Sequence, residues 1–143
     1  MNSNQMTVPN SSAMRTQLRN ACENFGVVSS ACRAAQIIAR HNVGQIANEI
    51  LALTPIPIPW LADIVNIGSG FLNGAVRVAR TWSKDEIRAV LLSLRPDDKV
   101  TWTHFVLAVR WGTDPKRLLQ MAVDNKWPAR SLGWRAQQAQ LTQ

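Results

Sequence analysis

Ser69, Asn73 and Arg77, with Arg80 one turn further on, are the residues whose types and spacing could do chemistry. Carried on one helix, they suit the edge of a nucleic-acid duplex. An asparagine amide pairs with adenine and an arginine guanidinium with guanine. A serine at a helix N-terminus, where backbone N–H groups lack partners, can hold a phosphate. The plainer alternative is that Ser69 and Asn73 are only cap and turn residues. Further cations at Lys84, Arg88, Lys99, Arg110, Lys116, Arg117, Lys126, Arg130 and Arg135 are candidates for phosphate contacts. Most single cations on helices are merely solvated, so a subset of these would matter. Arg117 and Arg130 could instead pair internally with Asp114 or Asp124.

Nothing comparable supports catalysis. His104 lies in a Thr-Trp-Thr-His-Phe run with no carboxylate pair or recognisable nucleophile beside it. A buried, hydrogen-bonded helix position is the role expected for it. Cys22, Cys32, His41 and His104 do not have the spacing of a metal site. There is no phosphate-cradling glycine loop and no nuclease-like carboxylate cluster. A non-enzymatic protein is expected, with no metal, no cofactor and no small-molecule substrate. All six tryptophans fall at or after residue 60. Aromatics interleaved with cations can stack on unpaired bases, but core positions are the commoner use. Trp60, Trp102 and Trp127 are expected to face inward, while Trp82, Trp111 and Trp134 stay open between core and partner surface.

Composition bounds these options. The chain has 143 residues, 46% of them apolar and 17% charged, with a formal charge of +7. That describes one globular domain able to bury its own core. Residues 1–76 carry four basic and three acidic groups, and residues 77–143 carry twelve and six. A basic half points to a polyanionic partner, either nucleic acid or an acidic membrane surface, the plainer alternative being a solvated cationic face. The opening MNSNQMTVPNSSAMR lacks an apolar core of signal-peptide length, so no signal peptide is expected before Cys22 and Cys32. Two buried thiols in a reducing cytoplasm are therefore expected rather than a disulfide.

Several elements must position these residues. Residues 1–12, polar and holding Pro9, read as a mobile arm. From 13 to 52 the periodicity is helical, with Leu18, Cys22 and Phe25 on one face, a break expected at Gly26, and either a break or a weak point at His41-Asn42-Val43-Gly44. Thr54-Pro-Ile-Pro-Ile-Pro59 cannot be helix interior, because each proline fixes its own φ and extends the residue before it. A membrane span wants about 20 consecutive apolar residues; prolines, glycines and Asp63 deny it one between Ile50 and Val76. Trp60 to Val65 reads as a short helix. Asn66 then supplies the left-handed turn out of it, and Ser69 caps a second helix with Phe71, Ala75, Val78 and Ala79 inward. Ser83 to Glu86 is a capping box. Thr101, Asp114 and Trp127-Pro128 open three more helices, with Gly112 ending the first of them. No segment alternates with period two, so the fold is all-α.

Three stretches resemble prokaryotic DNA-binding modules that pair a helix-turn-helix with a small helical bundle. Such modules occur in ParB-like plasmid partition proteins, in phage and plasmid regulators, and ahead of YhcG-type nuclease domains. Val43 to Ile50 is similar to their leading helix, and Trp60 to Ala79 to their helix-turn-helix. The third stretch runs from Val100 to Leu132. It is the most specific, setting Trp102, His104, Asp114, Arg117, Trp127, Arg130 and Leu132 together. Two departures stand out. Asn66 replaces the usual turn glycine, and Ser69-Gly-Phe-Leu-Asn-Gly74 replaces a more polar recognition helix. The resemblance implies double-stranded DNA binding by a repressor or partition-type regulator, acting by occupancy.

The resulting expectation is a single domain over 13–143: N-terminal helices (13–52), a helix-turn-helix (60–82) and a basic bundle (83–143). A homodimer is expected, because one short recognition helix rarely gives enough specificity. A cytoplasmic location beside nucleoid or plasmid follows. One rival is a protein-interaction module in which Gly70, Phe71 and Gly74 admit a partner helix. The other is a membrane-active cationic protein.

Overall fold

The computed structural model describes the backbone of residues 11–141, with side chains at 16, 17, 20 and 31–139. Its helices are α1 (Ser11–Leu53), α2 (Ile58–Val65), α3 (Ser69–Thr81), α4 (Lys84–Ser93), α5 (Trp102–Trp111), α6 (Pro115–Asp124) and α7 (Ala129–Leu141). There is no strand among the described residues, so the chain is all-α, as the periodicity indicates. The arm expected over residues 1–12 lies outside the described residues, except for Ser11 and Ser12, which open α1. The face expected to carry Leu18, Cys22 and Phe25 lies outside the described side chains.

The N-terminal region is one helix rather than several. α1 runs for 43 residues, about 65 Å at 1.5 Å per residue, through both places where a break or weak point is expected. A lone glycine costs a helix only about 1 kcal/mol, too little to end one that is held elsewhere. Ile37, His41, Gly44 and Ala47 are buried along a single stripe. A Cβ on Gly44 would lie 2.0 Å from the backbone oxygen of Ala75 in α3. The two helices touch backbone to backbone there. One turn earlier, His41 Nε2 lies 2.7 Å from the carbonyl oxygen of Trp82. A carbonyl can only accept, so Nε2 carries the proton and donates it. The polar stretch that reads as a break or weak point is thus the contact between α1 and α3. Cys32 is exposed and unpaired, not buried as expected. Ten residues of continuous helix put Cys22 about 15 Å away along the axis. A disulfide needs Cα atoms within about 7 Å, so α1 excludes a bridge between the two within one chain.

The prolines after Leu53 end α1 as expected. Pro57 caps α2, and Pro59 sits in its first turn, where a missing N–H costs nothing. α2 closes at Asn66, which has φ 58 and ψ 50. Its N–H donates to Asp63 O (3.2 Å), and that of Ile67 to Ala62 O (3.0 Å). This pair of bonds satisfies the last carbonyls of the helix. The cap of α3 is Gly68, not Ser69, which is the first helical residue. The Gly68 carbonyl accepts the N–H of Leu72 at 3.0 Å.

α3 is a wall shared by two apolar clusters. Ala75, Val78 and the C-cap Trp82 join Ile37, Ile87, Trp102, Phe105, Ala108 and Leu119 in the larger one. Leu72 and Val76 join Ala47, Leu61 and Ala62 in the smaller one, against which Ile56, Ile58 and Ile67 also pack. Trp82 is buried and meets the edge of Phe105, with centroids 5.0 Å apart at 78°. Edge-to-face packing suits the ring quadrupoles. Two aromatic residues expected inward are not. Phe71 lies at the surface, and Trp60 is 64% exposed. Each sits one helical position away from the residue that took the inward place, Leu72 and Leu61.

The C-terminal helices start where their caps predict. Ser83 Oγ accepts from Glu86 N at 3.1 Å, and Glu86 Oε1 accepts from Ser83 N at 3.0 Å. Asp114 Oδ1 accepts from Arg117 N at 3.3 Å. α5 is the central strut, contacting α1, α3, α6 and α7. α7 is no short terminal helix, since it runs for 13 residues with Leu132 fully buried. The turn out of α6 repeats the device of α2, with Lys126 at φ 53.

Two outcomes test this account by chemical or thermal unfolding. Gly44→Ala gains about 1 kcal/mol of helix propensity but forces two backbones apart, so a net loss of about 1–3 kcal/mol is expected. Lys126→Gly is expected to keep or raise the unfolding midpoint. Glycine accepts the left-handed conformation freely, and the exposed ion pairs it removes contribute little.

Candidate nucleic-acid interface

Ser69, Asn73, Arg77 and Arg80 are all exposed. Their spacing of four, four and three places them on one face of α3, opposite the buried Leu72, Ala75, Val76 and Val78. The three-residue turn at 66–68 separates this helix from α2. The first turn of the face is open, because nothing lies within 4 Å of where a Cβ on Gly70 would be. Gly74 faces the other way, and its Cβ would stand 3.5 Å from Val106 of α5. That glycine serves the packing of α3 on α5 within the chain.

The two arginines of the stripe are already engaged. Arg77 Nη2 donates to Val109 O at 3.1 Å, a carbonyl in the last turn of α5. Carbonyls there lack a partner within the helix, and a cation favours that end of its dipole. The bond uses one of the five N–H donors of a guanidinium. Arg80 Nε donates to Asn48 Oδ1 at 2.9 Å, while Asn48 Nδ2 donates to Val76 O at 3.2 Å. These two bonds fix which way the Asn48 amide points. Asn48 is absent from the sequence reading, though it is a polar side chain next to the inward stripe of α1. Ser69 and Asn73 make no side-chain hydrogen bond to another described residue.

The remaining candidate cations fall into separate groups. Lys116 forms an ion pair with Glu86. That ammonium, seconded by the Ser83 N–H, holds the Glu86 carboxyl down to about 2. Lys126 pairs with Asp97 at 2.9 Å and Asp98 at 3.2 Å. Both carboxylates raise the pKa of this lysine. Arg135 lies 4.6 Å over the Trp127 ring, a cation–π contact. Lys84, Arg88, Lys99, Arg110, Arg117 and Arg130 are exposed and outside these pairings. Among the described residues, no ion pair joins Arg117 or Arg130 to Asp114 or Asp124.

A hollow lies where α7 packs on α5. A Cβ on Gly133 would meet Leu107 at 3.4 Å, so α7 sits low on α5. Arg130, Trp134 and Gln137 surround the resulting hollow. Another feature, missed at Trp60, is apolar. Ile46, Ile50 and Leu53 of α1 and Trp60, Ile64 and Val65 of α2 are exposed, with Glu49 and Asp63 the charged residues nearest them in sequence.

His104 occupies the role expected of it. It is 3% exposed. Nδ1 accepts from Thr101 N at 3.0 Å, and Nε2 donates to Trp127 O at 2.9 Å. The neutral ring with its proton on Nε2 satisfies both bonds. Burial lowers its pKa, partly opposed by the Trp127 carbonyl. Among the described residues, no group of three or more His, Cys, Asp or Glu could hold a metal. No helix among them is long and apolar enough to cross a membrane. No family model, curated relative or solved structure matches the chain.

The His104 arrangement sets a pH dependence. An unfolded imidazole takes up its proton near 6.5, and the folded one only below that. As pH falls through this window the unfolded state binds more protons, so folding stability falls with it. The slope due to one group is at most about 1.4 kcal/mol per pH unit. Unfolding midpoints from pH 7.5 to 5 should drop in the wild type and drop less in His104→Gln.

Proposed function

We propose that this chain is a non-enzymatic double-stranded DNA-binding protein, acting by occupancy as a repressor or partition-type regulator. One observation carries the reading. A helix that follows a three-residue turn presents Ser69, Asn73, Arg77 and Arg80 on a single exposed face. In a helix-turn-helix the second helix enters the major groove and its early residues touch base edges. Ser69 and Asn73 hold those early positions, with side chains free to bond. Arg77 and Arg80 follow, already oriented by Val109 and Asn48. The resemblance to ParB-like modules points the same way. A cytoplasmic site of action, on nucleoid or plasmid, belongs to this reading.

A homodimer belongs to it as well, since two half-sites multiply the contacts that one helix can make. The exposed apolar residues of α1 and α2 offer the seat for the second copy, because exposed large apolar side chains that gather into a patch mark contacts. Their neighbours Glu49 and Asp63 make this an unfavourable surface for anionic lipid, which disfavours the membrane-active alternative.

The test is a binding selection from random duplex DNA at about 150 mM salt, with Asn73→Ala beside the wild type. Asn73 is the clean choice, since its side chain holds nothing in the fold. An enriched motif is expected, losing discrimination at one position by about 5- to 150-fold in the variant. No enrichment by the wild type would reject the reading. Affinity for the selected duplex should also fall by roughly three decades between 50 and 200 mM salt if six phosphates are neutralised. Lys116→Gln and Lys126→Gln, which remove cations already paired, should leave that slope unchanged.

A further inference from the structure

We propose that the α5–α7 surface holds a stacking site for an unpaired nucleobase, with Trp134 as its platform. The ligand class is single-stranded nucleic acid. Trp134 is 61% exposed although Leu132, Gly133 and Ala136 around it on α7 are buried. The indole therefore contributes little to the core. It borders a hollow of about 540 Å³, with Leu107, Ser131 and Gln137 among the other lining residues. The close seating of Gly133 on Leu107, described above, gives this hollow an apolar floor.

Three residues on one face of α7 supply the chemistry. Arg130 and Gln137 lie four residues before and three after Trp134, and such neighbours share a helix face. A guanidinium can meet a backbone phosphate. A carboxamide can donate to and accept from the edge of a base. An indole ring stacks on any base, because every base has a π-face. No carboxylate lines the hollow, so nothing there repels an anionic strand.

The other exposed or half-buried indoles lack this combination. Trp127 is already covered by Arg135, and the hollow that Trp111 and Trp127 line includes Asp114. Trp60 is set among apolar residues with Asp63 close in sequence. A duplex cannot use the Trp134 face, since its bases are stacked on one another. The inference stands apart from the duplex reading of α3, and either can fail alone.

The experiment is a titration of the full chain against a short fluorescein-labelled thymidine oligonucleotide and a labelled blunt duplex, read by anisotropy at about 50 mM salt. Wild type, Trp134→Ala, Trp134→Phe and Arg130→Gln are compared, with helicity and melting temperature as folding controls. The wild type should bind the oligonucleotide. Trp134→Ala should weaken that binding by about 5- to 150-fold, the loss of one stacking contact. Trp134→Phe should retain most of it. Arg130→Gln should weaken it with a shallower salt dependence. Duplex affinity should be unchanged by either substitution at Trp134. Failure of the wild type to bind the oligonucleotide would overturn the proposal. So would wild-type oligonucleotide affinity in Trp134→Ala, equal losses on oligonucleotide and duplex, or Trp134→Phe behaving as Trp134→Ala.

Discussion

Everything else in this fold depends on how closely α1 approaches α3. At Gly44 the helices meet without an intervening side chain, and the Ala75 carbonyl fills the space a Cβ would need. The His41–Trp82 hydrogen bond fastens the same pair one turn away. That bond fixes the end of α3, and with it the indole on which Phe105 packs. Phe105 belongs to α5, which in turn carries α6 and α7. A helix pair held this tightly leaves α3 little freedom to rotate, so which of its faces meets solvent is settled by α1.

The same economy governs the surface. α3 has two buried sides, entering two apolar clusters, and only the remaining face is open. The long side chains on that face also brace the fold, Arg77 against the end of α5 and Arg80 against Asn48. An arginine held by one hydrogen bond has lost part of its rotamer freedom before any ligand arrives, and less ordering cost remains at binding. The short side chains, Ser69 and Asn73, carry no such duty. The surface is thus graded from free residues at the start of α3 to braced ones at its end.

Much of this architecture was legible in the sequence, for local reasons. The proline run, the left-handed Asn66, the Ser83 box and the Asp114 cap act through their immediate neighbours, so reading along the chain finds them. The buried role of His104 follows from the want of any catalytic group beside it in the sequence. What was hidden depends on contacts far apart in sequence. His41 and Gly44 look like helix breakers until α3 is set against them. Trp60 lies in a short, almost wholly apolar segment, where periodicity cannot decide which face turns inward, and Phe71 stands beside Leu72 at the start of α3, where either could take the inward place. Trp82 stood open because it follows the last turn of α3, and only the arrival of α5 encloses it. The stripe on α3 was visible as a spacing. The hydrogen bonds that occupy its arginines were not, since their acceptors lie about thirty residues away.

The bond from Arg77 to Val109 bears on how this surface could diverge. A replacement at 77 must still satisfy the Val109 carbonyl at the end of α5 or lose that support, so the position answers to folding as well as to any ligand. Positions 69 and 73 carry no such duty to the fold. A lineage that acquired a new target could explore changes there at little structural risk. At 77 each step would need compensation, and drift should be slow. Variation among descendants of this chain would then gather at the start of α3, with its far end held constant by the needs of the neighbouring helix.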